Sequence, residues 1–158
     1  MGLFDKLLGN HEDNNVVAVC SGKHVKNGDI ADKTFADELL GKTIAIEPSD
    51  GEIVSPISGT IEVLFPTKHA FAVRSKDGTG YLVHVGIDTV NLNGEGFTSF
   101  KNQGDKVKAG ETVLKVDLNK VKEKCPVTTM LIVSEPVDNK TYDFIDFETI
   151  EKGQVISK

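Results

Sequence analysis

At 158 residues, with 39% hydrophobic and 27% charged side chains and a net charge of −6, the chain is long enough to bury about 70% of the surface its unfolded form exposes. One globular domain over residues 16–158 is expected. The acidic balance and the lack of a basic stripe exclude a nucleic-acid footprint and favour basic or neutral partners. No run approaches the roughly 20 apolar residues of a membrane span, so no stable membrane insertion is expected.

Residues 1–15 read as a flexible leader without the long apolar core of a signal peptide. Leu3, Phe4, Leu7 and Leu8 share one face of a short helix, but with Lys6 as the only nearby cation this reads as a frayed turn rather than a membrane foot. Lys6 also stands where myristoylation wants Ser or Thr. Met1 and the short leader point to a free-standing protein. Cys20 and Cys125 form no CxxC pattern, and no disulfide is expected. The expected compartment is the cytoplasm, and the expected state a monomer.

In chain order, Val16–Val19 is a first apolar, β-branched run, interrupted by Ser21-Gly22. A short helix is expected at Ala36–Leu40. Thr43–Glu47 runs into the turn residues Pro48-Ser49-Asp50-Gly51. Ile53-Val54 precedes Ser58-Gly59, and Thr60–Leu64 follows. Ala70–Arg74, Tyr81–Val85, Thr112–Asp117, Met130–Val133 and Gln154–Ile156 are later strands, with a second helix at Leu118–Lys124. Many short strands at close spacing predict an all-β fold, an antiparallel sandwich or barrel with only short helical pieces.

Two signatures give this pattern an internal structure. Ala18-Val19-Cys20-Ser21-Gly22 resembles Ser55-Pro56-Ile57-Ser58-Gly59; each ends in Ser-Gly, where glycine permits a tight bend. This fits a small β unit duplicated within one domain. Gly104–Leu114 alternates apolar residues between two glycines, reading as turn, short strand, turn. Together with Ser55–Ile61 it resembles the two halves of a lipoyl or biotinyl carrier domain, a barrel-sandwich hybrid-like motif, with the intervening stretch inserted between them.

That stretch holds two histidines. Ala70–Ser75 and Tyr81–Gly86 flank Asp77-Gly78, a type I′ hairpin signal. With that two-residue turn, residue 71 falls opposite 84, and His69, Phe71 and Val73 share a face with Leu82, His84 and Gly86. A one-residue shift would part the histidines. Three readings follow: hydrogen-bonded packing residues, a metal site, or phosphoryl chemistry. An intrinsic zinc site lacks a third ligand in any HxH or HExxH motif. Phosphoryl chemistry uses a neutral imidazole as nucleophile near neutral pH. His84 can supply that nitrogen, His69 a donor to phosphoryl oxygens, and Thr67 a hydroxyl to fix the His69 tautomer. Phe65, Phe71 and Leu82 would form an apolar collar.

Thr67-Lys68-His69-Ala70-Phe71, followed by His84-Val85-Gly86-Ile87-Asp88-Thr89-Val90, closely resembles the two active-site segments of the glucose-type IIA family of the bacterial sugar phosphotransferase system. Leu92–Phe97, Ser55–Thr60 and Gly104–Val107 match it too, and the similarity runs from about Val17 to Val133. Val19, where the family commonly has Pro, is a departure remote from the histidines. The resemblance implies that His84 is the phosphorylated residue, His69 the stabilising histidine and Thr67 its hydrogen-bond partner. It implies a docking surface of Phe35, Leu40, Phe65, Phe71 and Leu82, with Asp88 at its edge. His11 and His24 match no functional position. The implied partners are HPr as donor, the IIB domain of a sugar permease as acceptor, and transporters or kinases regulated by phosphorylation state. No cofactor is implied as necessary, although a zinc ion shared by His69, His84 and a partner's carboxylate belongs to the family's repertoire. The alternatives are a swinging-arm carrier with its acceptor lysine in Val116-Asp117-Leu118-Asn119-Lys120, and a zinc hydrolase of related β architecture.

Overall fold

β-branched runs cut by glycine and proline can bury only a few residues each, so stability must come from pairing many short strands around one core. The computed structural model describes residues 15–158; the leader, apart from Asn15, lies outside them, as does His11. The strands are β1 (Gly22–Val25), β2 (Lys42–Pro48), β3 (Glu52–Val54), β4 (Gly59–Leu64), β5 (Ala70–Ser75), β6 (Gly80–Val85), β7 (Phe97–Ser99), β8 (Lys106–Val107), β9 (Thr112–Val116), β10 (Thr129–Glu135) and β11 (Thr149–Ile150). The helices are α1 (Lys33–Ala36) and α2 (Leu118–Lys122).

Every strand pairing is antiparallel. An eight-stranded sheet in the order β11-β1-β2-β10-β6-β5-β4-β8 faces a three-stranded sheet, β3-β9-β7. The core lies between them. Phe71, Val73, Tyr81, Val83 and Leu131 from the large sheet pack with Ile53, Leu114 and Phe97 from the small one. The large sheet curls without closing into a barrel: β11 and β8 remain its edges. The loops after these edges meet, since a Cβ at Gly110 would lie 3.9 Å from the Gly153 Cα.

The duplication is visible atom by atom. Gly153 N–H donates to Ala18 O at 2.9 Å, and Gly110 N–H to Ser55 O at 2.9 Å. Lys152 N–H donates to Ser21 Oγ at 2.9 Å, and Ala109 N–H to Ser58 Oγ at 3.0 Å. The two copies also exchange bonds: Val17 N–H reaches Pro56 O and Val54 N–H reaches Val19 O, both at 2.8 Å. Gly22 and Gly59 start equivalent strands, and each lets a carbonyl approach where a side chain would sit. A Cβ would fall 2.0 Å from Glu47 O in the first copy and 2.2 Å from Arg74 O in the second.

Several expected elements differ. Val16–Val19 and Gln154–Ile156 make only a bridge between Val17 and Val155, because Val17 N–H and Val19 O turn to Pro56 O and Val54 N–H of the other copy. α1 starts and ends earlier than expected. Asp32 caps Thr34 N–H at 2.8 Å, and Glu38 at φ 54° follows in a left-handed conformation that a helix cannot continue. α2 stops at Lys122 rather than Lys124. β1, β7 and β11 are strands beyond those expected.

Candidate functional site

The hairpin that carries the histidines turns differently from the I′ expectation. Gly78 N–H donates to Ser75 O at 3.0 Å and Ser75 N–H to Thr79 O at 2.9 Å. Gly78 alone has positive φ, 94°. This is a three-residue loop, Lys76-Asp77-Gly78, with glycine at the left-handed position. Asp77 selects it by accepting from Thr79 N–H at 2.9 Å and Ser75 Oγ at 2.6 Å.

The longer loop shifts the register by one residue: Ala70 pairs with His84, Phe71 with Val83 and Ala72 with Leu82. Phe71 therefore points into the core at 0% exposure and is not part of the docking collar. Sharing of a face by Phe71 and His84 is overturned for the same reason, since a one-residue slip moves a side chain to the other side of the sheet.

The histidines still meet. His69 precedes β5, in the loop where Lys68 takes φ 59° and donates its N–H to Phe65 O at 2.8 Å. The His69 carbonyl stays in register, accepting from Val85 N–H at 2.8 Å. Its ring, freed from strand alternation, lies edge-on to His84 with centroids 4.9 Å apart and planes at 83°.

Each imidazole is held at one nitrogen. His84 Nδ1 lies 2.9 Å from Gly86 O. A carbonyl only accepts, so Nδ1 carries the proton and Nε2 keeps its lone pair in the neutral ring. His69 Nδ1 lies 2.6 Å from Thr67 Oγ1. Gly86 is fixed in turn: Gly86 N–H donates to Thr128 O at 2.8 Å, Thr89 Oγ1 donates to Val85 O at 2.5 Å, and a Cβ at Gly86 would strike Thr89 Cγ2 at 2.4 Å. The N–H groups of Val85, Gly86 and Ile87 all have backbone acceptors. They are closed to a ligand; Asp88, exposed and at φ 59°, is the residue of this stretch whose N–H has no such acceptor.

The surroundings keep both rings neutral. Burial first, then the neighbouring His69, pushes the His84 pKa down to about 4, against the opposing pull of the Gly86 carbonyl. Burial lowers that of His69. Phe35 covers His84 at 4.8 Å between centroids. It forms a second apolar cluster with Met130, Ile132, Ile87 and half-buried Leu82 on the outer face of the sheet. Phe65 stands edge-on to His69 at 5.4 Å and is 37% exposed. Leu39 and Leu40, at 70% and 43%, and Val90 at 48% are further exposed apolar side chains. Leu39, Met130 and Ile132 were not anticipated; alternation along β10 carried a signal for the last two. His24 lies on β1, its ring 5.1 Å from Phe147.

Among the described residues no group of three or more His, Cys, Asp or Glu could hold a metal. His69 and His84 provide two imidazoles, so a zinc ion there would need its remaining ligands from another molecule. The swinging-arm alternative fails on position: Lys120 sits within α2, ion-paired to Glu95 at 3.2 Å, not at a hairpin tip. Cys20 is buried, Cys125 half-buried, and both are free. No described helix is long and apolar enough to cross a membrane.

Comparison with known proteins gives consistent matches. A family model for the phosphoenolpyruvate-dependent sugar phosphotransferase system, EIIA 1, matches residues 14–139. The glucose-specific EIIA component of Haemophilus influenzae is 42% identical over 139 residues, covering 85% of this chain and 84% of that one. The glucose-specific EIICBA component of Staphylococcus saprophyticus is 34% identical; the match takes in 91% of this chain but 21% of the longer protein. The solved glucose permease IIA of Mycoplasma capricolum superposes with a TM-score of 0.86 at 35% identity, covering 90% of this chain and 93% of the other.

Proposed function

Because this chain belongs to the EIIA 1 family of the phosphoenolpyruvate-dependent sugar phosphotransferase system, we propose that His84 Nε2 accepts a phosphoryl group from phospho-HPr and passes it to a cysteine on the IIB domain of a sugar permease. The observation that carries the reading is the Nδ1 contact to the Gly86 carbonyl, which leaves Nε2 as the one nucleophilic nitrogen. In the first step the P–N bond of the donor phosphohistidine breaks as the bond to Nε2 forms, while Nδ1–H stays on Gly86 O. In the second, the cysteine sulfur attacks phosphorus and the Nε2–P bond breaks.

A transfer of this kind asks the protein for position and charge stabilisation rather than covalent work. The low His84 pKa keeps the nucleophile unprotonated at neutral pH. With Thr67 Oγ1 donating to His69 Nδ1, the His69 Nε2–H is left to donate to a phosphoryl oxygen. Phe35 shields the ring from water. Phe65, Leu40 and Leu82 give a partner an apolar rim, and Asp88 offers a cationic partner a carboxylate at its edge. The same face would let transporters or kinases read the phosphorylation state, all in the cytoplasm. A zinc ion between His69, His84 and a partner's carboxylate would add such an interface without taking part in transfer.

Incubation with phosphoenolpyruvate, Enzyme I and HPr, followed by mapping of the bound phosphate, tests the reading. One acid-labile phosphate on His84 is expected. Phosphate on another residue, or none, would overturn it.

A further inference from the structure

A concave surface lies at the opposite end of the hairpin from the histidines, where β4, β5 and β8 meet. It is a cleft of about 820 Å³ whose lining includes Arg74, Lys76, Lys101, Lys106 and Lys108 against one carboxylate, Glu111. From Ala70, which pairs with His84, it is four residues along β5 to Arg74, roughly 13 Å at strand rise, so the cleft is separate from the histidine face.

Two of its cations are spoken for. Arg74 forks onto Glu62 at 2.7 Å and reaches Glu135 at 2.9 Å; Lys101 pairs with Glu111 at 2.5 Å. Lys76, Lys106 and Lys108 are exposed and have no carboxylate partner among the described residues. Three unpaired ammonium groups around one cleft repel one another, on a chain whose net charge is −6. An anion seated between them relieves that repulsion.

The first copy of the duplicated unit shows that the fold does not require these cations. Thr60 pairs with Arg74 and Lys106 in the second copy, as Lys23 pairs with Glu47 and Thr149 in the first. The register thus places Glu47 where Arg74 is, Ser49 at Lys76, Thr149 at Lys106 and Glu151 at Lys108. The backbone cradle is the same, while the cations are confined to the second copy.

We propose that this cleft is a binding site for a small organic phosphate, its anionic group held between Lys76, Lys106 and Lys108 and its body against Val107 and Ala109. Lysine serves as a point charge for phosphate. The volume is in the range of small-molecule sites and much larger than inorganic phosphate needs, and its lining is apolar as well as cationic. The proposal does not depend on the role of His84.

Amide shifts of the full chain, titrated with glucose 6-phosphate, phosphoenolpyruvate, AMP, inorganic phosphate and a glutamate-rich peptide, test it. At least one organic phosphate should give saturable shifts at Ser75, Val107 and Gly110, at least about tenfold tighter than inorganic phosphate. The Lys106→Gln/Lys108→Gln double variant should weaken that binding by at least about tenfold, with an otherwise unchanged spectrum; Lys23→Gln, in the other copy, should not. No saturable shift, equal binding of inorganic phosphate, or shifts that survive the double substitution would each overturn it. Binding of the peptide alone would assign the cleft to an acidic protein segment and also overturn it.

Discussion

The two copies of the β unit share hydrogen bonds, glycine positions and strand register, yet only one carries the histidines. β10 and β6 pair symmetrically about Leu131 and Val83, with Met130 opposite His84 and Ile132 opposite Leu82. One residue beyond each centre, the second copy has His84 where the first has Ile132. His84 is half-buried with an available Nε2; Ile132 is 0% exposed in the apolar cluster beside it. A duplicated frame therefore supplies rigidity twice, and the proposed chemistry falls in one half, with the other half packed against it as its support.

Exchanging function between these equivalent positions should give the largest contrast. His84→Gln is expected to abolish phosphate uptake from phospho-HPr, a loss of at least ~10³-fold, because among the described residues of the site His69, with its proton placed on Nε2 by Thr67, offers no second nucleophile. Ile132→Val should leave uptake intact and cost about 0.5–1.5 kcal/mol of stability, read from denaturant midpoints. Uptake retained by His84→Gln would remove the asymmetry between the copies altogether.

His69→Gln comes next. It keeps a donor near phosphorus but loses the imidazole, so acceptance should be near normal while onward transfer to IIB slows by about 100-fold, or ~2.7 kcal/mol. Rapid-quench measurement of the two half-reactions separates them; equal slowing of both would make His69 a docking residue instead.

The glycines probe the shared frame itself. Gly22→Ala and Gly59→Ala should each destabilise by about 1–3 kcal/mol, since each added Cβ meets a carbonyl at 2.0 or 2.2 Å. Urea unfolding of the pair checks this. If one substitution were tolerated and the other not, the two bends would not be doing the same job.

Much of this was legible in the sequence where local rules decide. β2, β4, β5, β6, β9 and β10 follow β-branched alternation, and the Ser-Gly repeat marks the duplication. The resemblance of Thr67–Phe71 and His84–Val90 to the active-site segments of one family, not their spacing, singled out the candidate site. The hairpin register was not legible because Asp77-Gly78 fits two turns, and the choice rests on Asp77 accepting from both Thr79 and Ser75. Phe71 was misplaced for that reason alone. The left-handed Lys68, which turns the His69 ring outward, is a tertiary outcome that no propensity announces. The second half of the repeat, Lys152-Gly153-Gln154 against Ala109-Gly110-Glu111, is too dissimilar to read without the bonds that both make.

Acid stability distinguishes the copies more gently. With a folded-state pKa of about 4 against an ordinary 6.5, His84 contributes stability that is fully present above pH 6.5 and lost as pH falls through about 4. His84→Gln should therefore flatten the slope of unfolding free energy between those limits, measured by urea titration at stepped pH. An unchanged slope would mean that the ring is more solvated than its cover by Phe35 implies.

The smallest expected effect falls on Thr67, whose hydroxyl meets His69 Nδ1 at 2.6 Å. Its proposed work is to choose the tautomer that leaves Nε2–H pointing at the phosphoryl group, and one neutral hydrogen bond is worth about 1 kcal/mol. Thr67→Ala should slow onward transfer by about fivefold, and Thr67→Ser, which keeps the donor, should restore it. A purely structural role predicts a different result: the Ala variant would lose stability without a change in transfer rate, and His69 15N shifts would show the same tautomer with and without the hydroxyl. Because His69 lies outside the strand ladder, with only its carbonyl in register, its side chain takes its direction from this bond and from the rings of Phe65 and His84 that meet it edge-on.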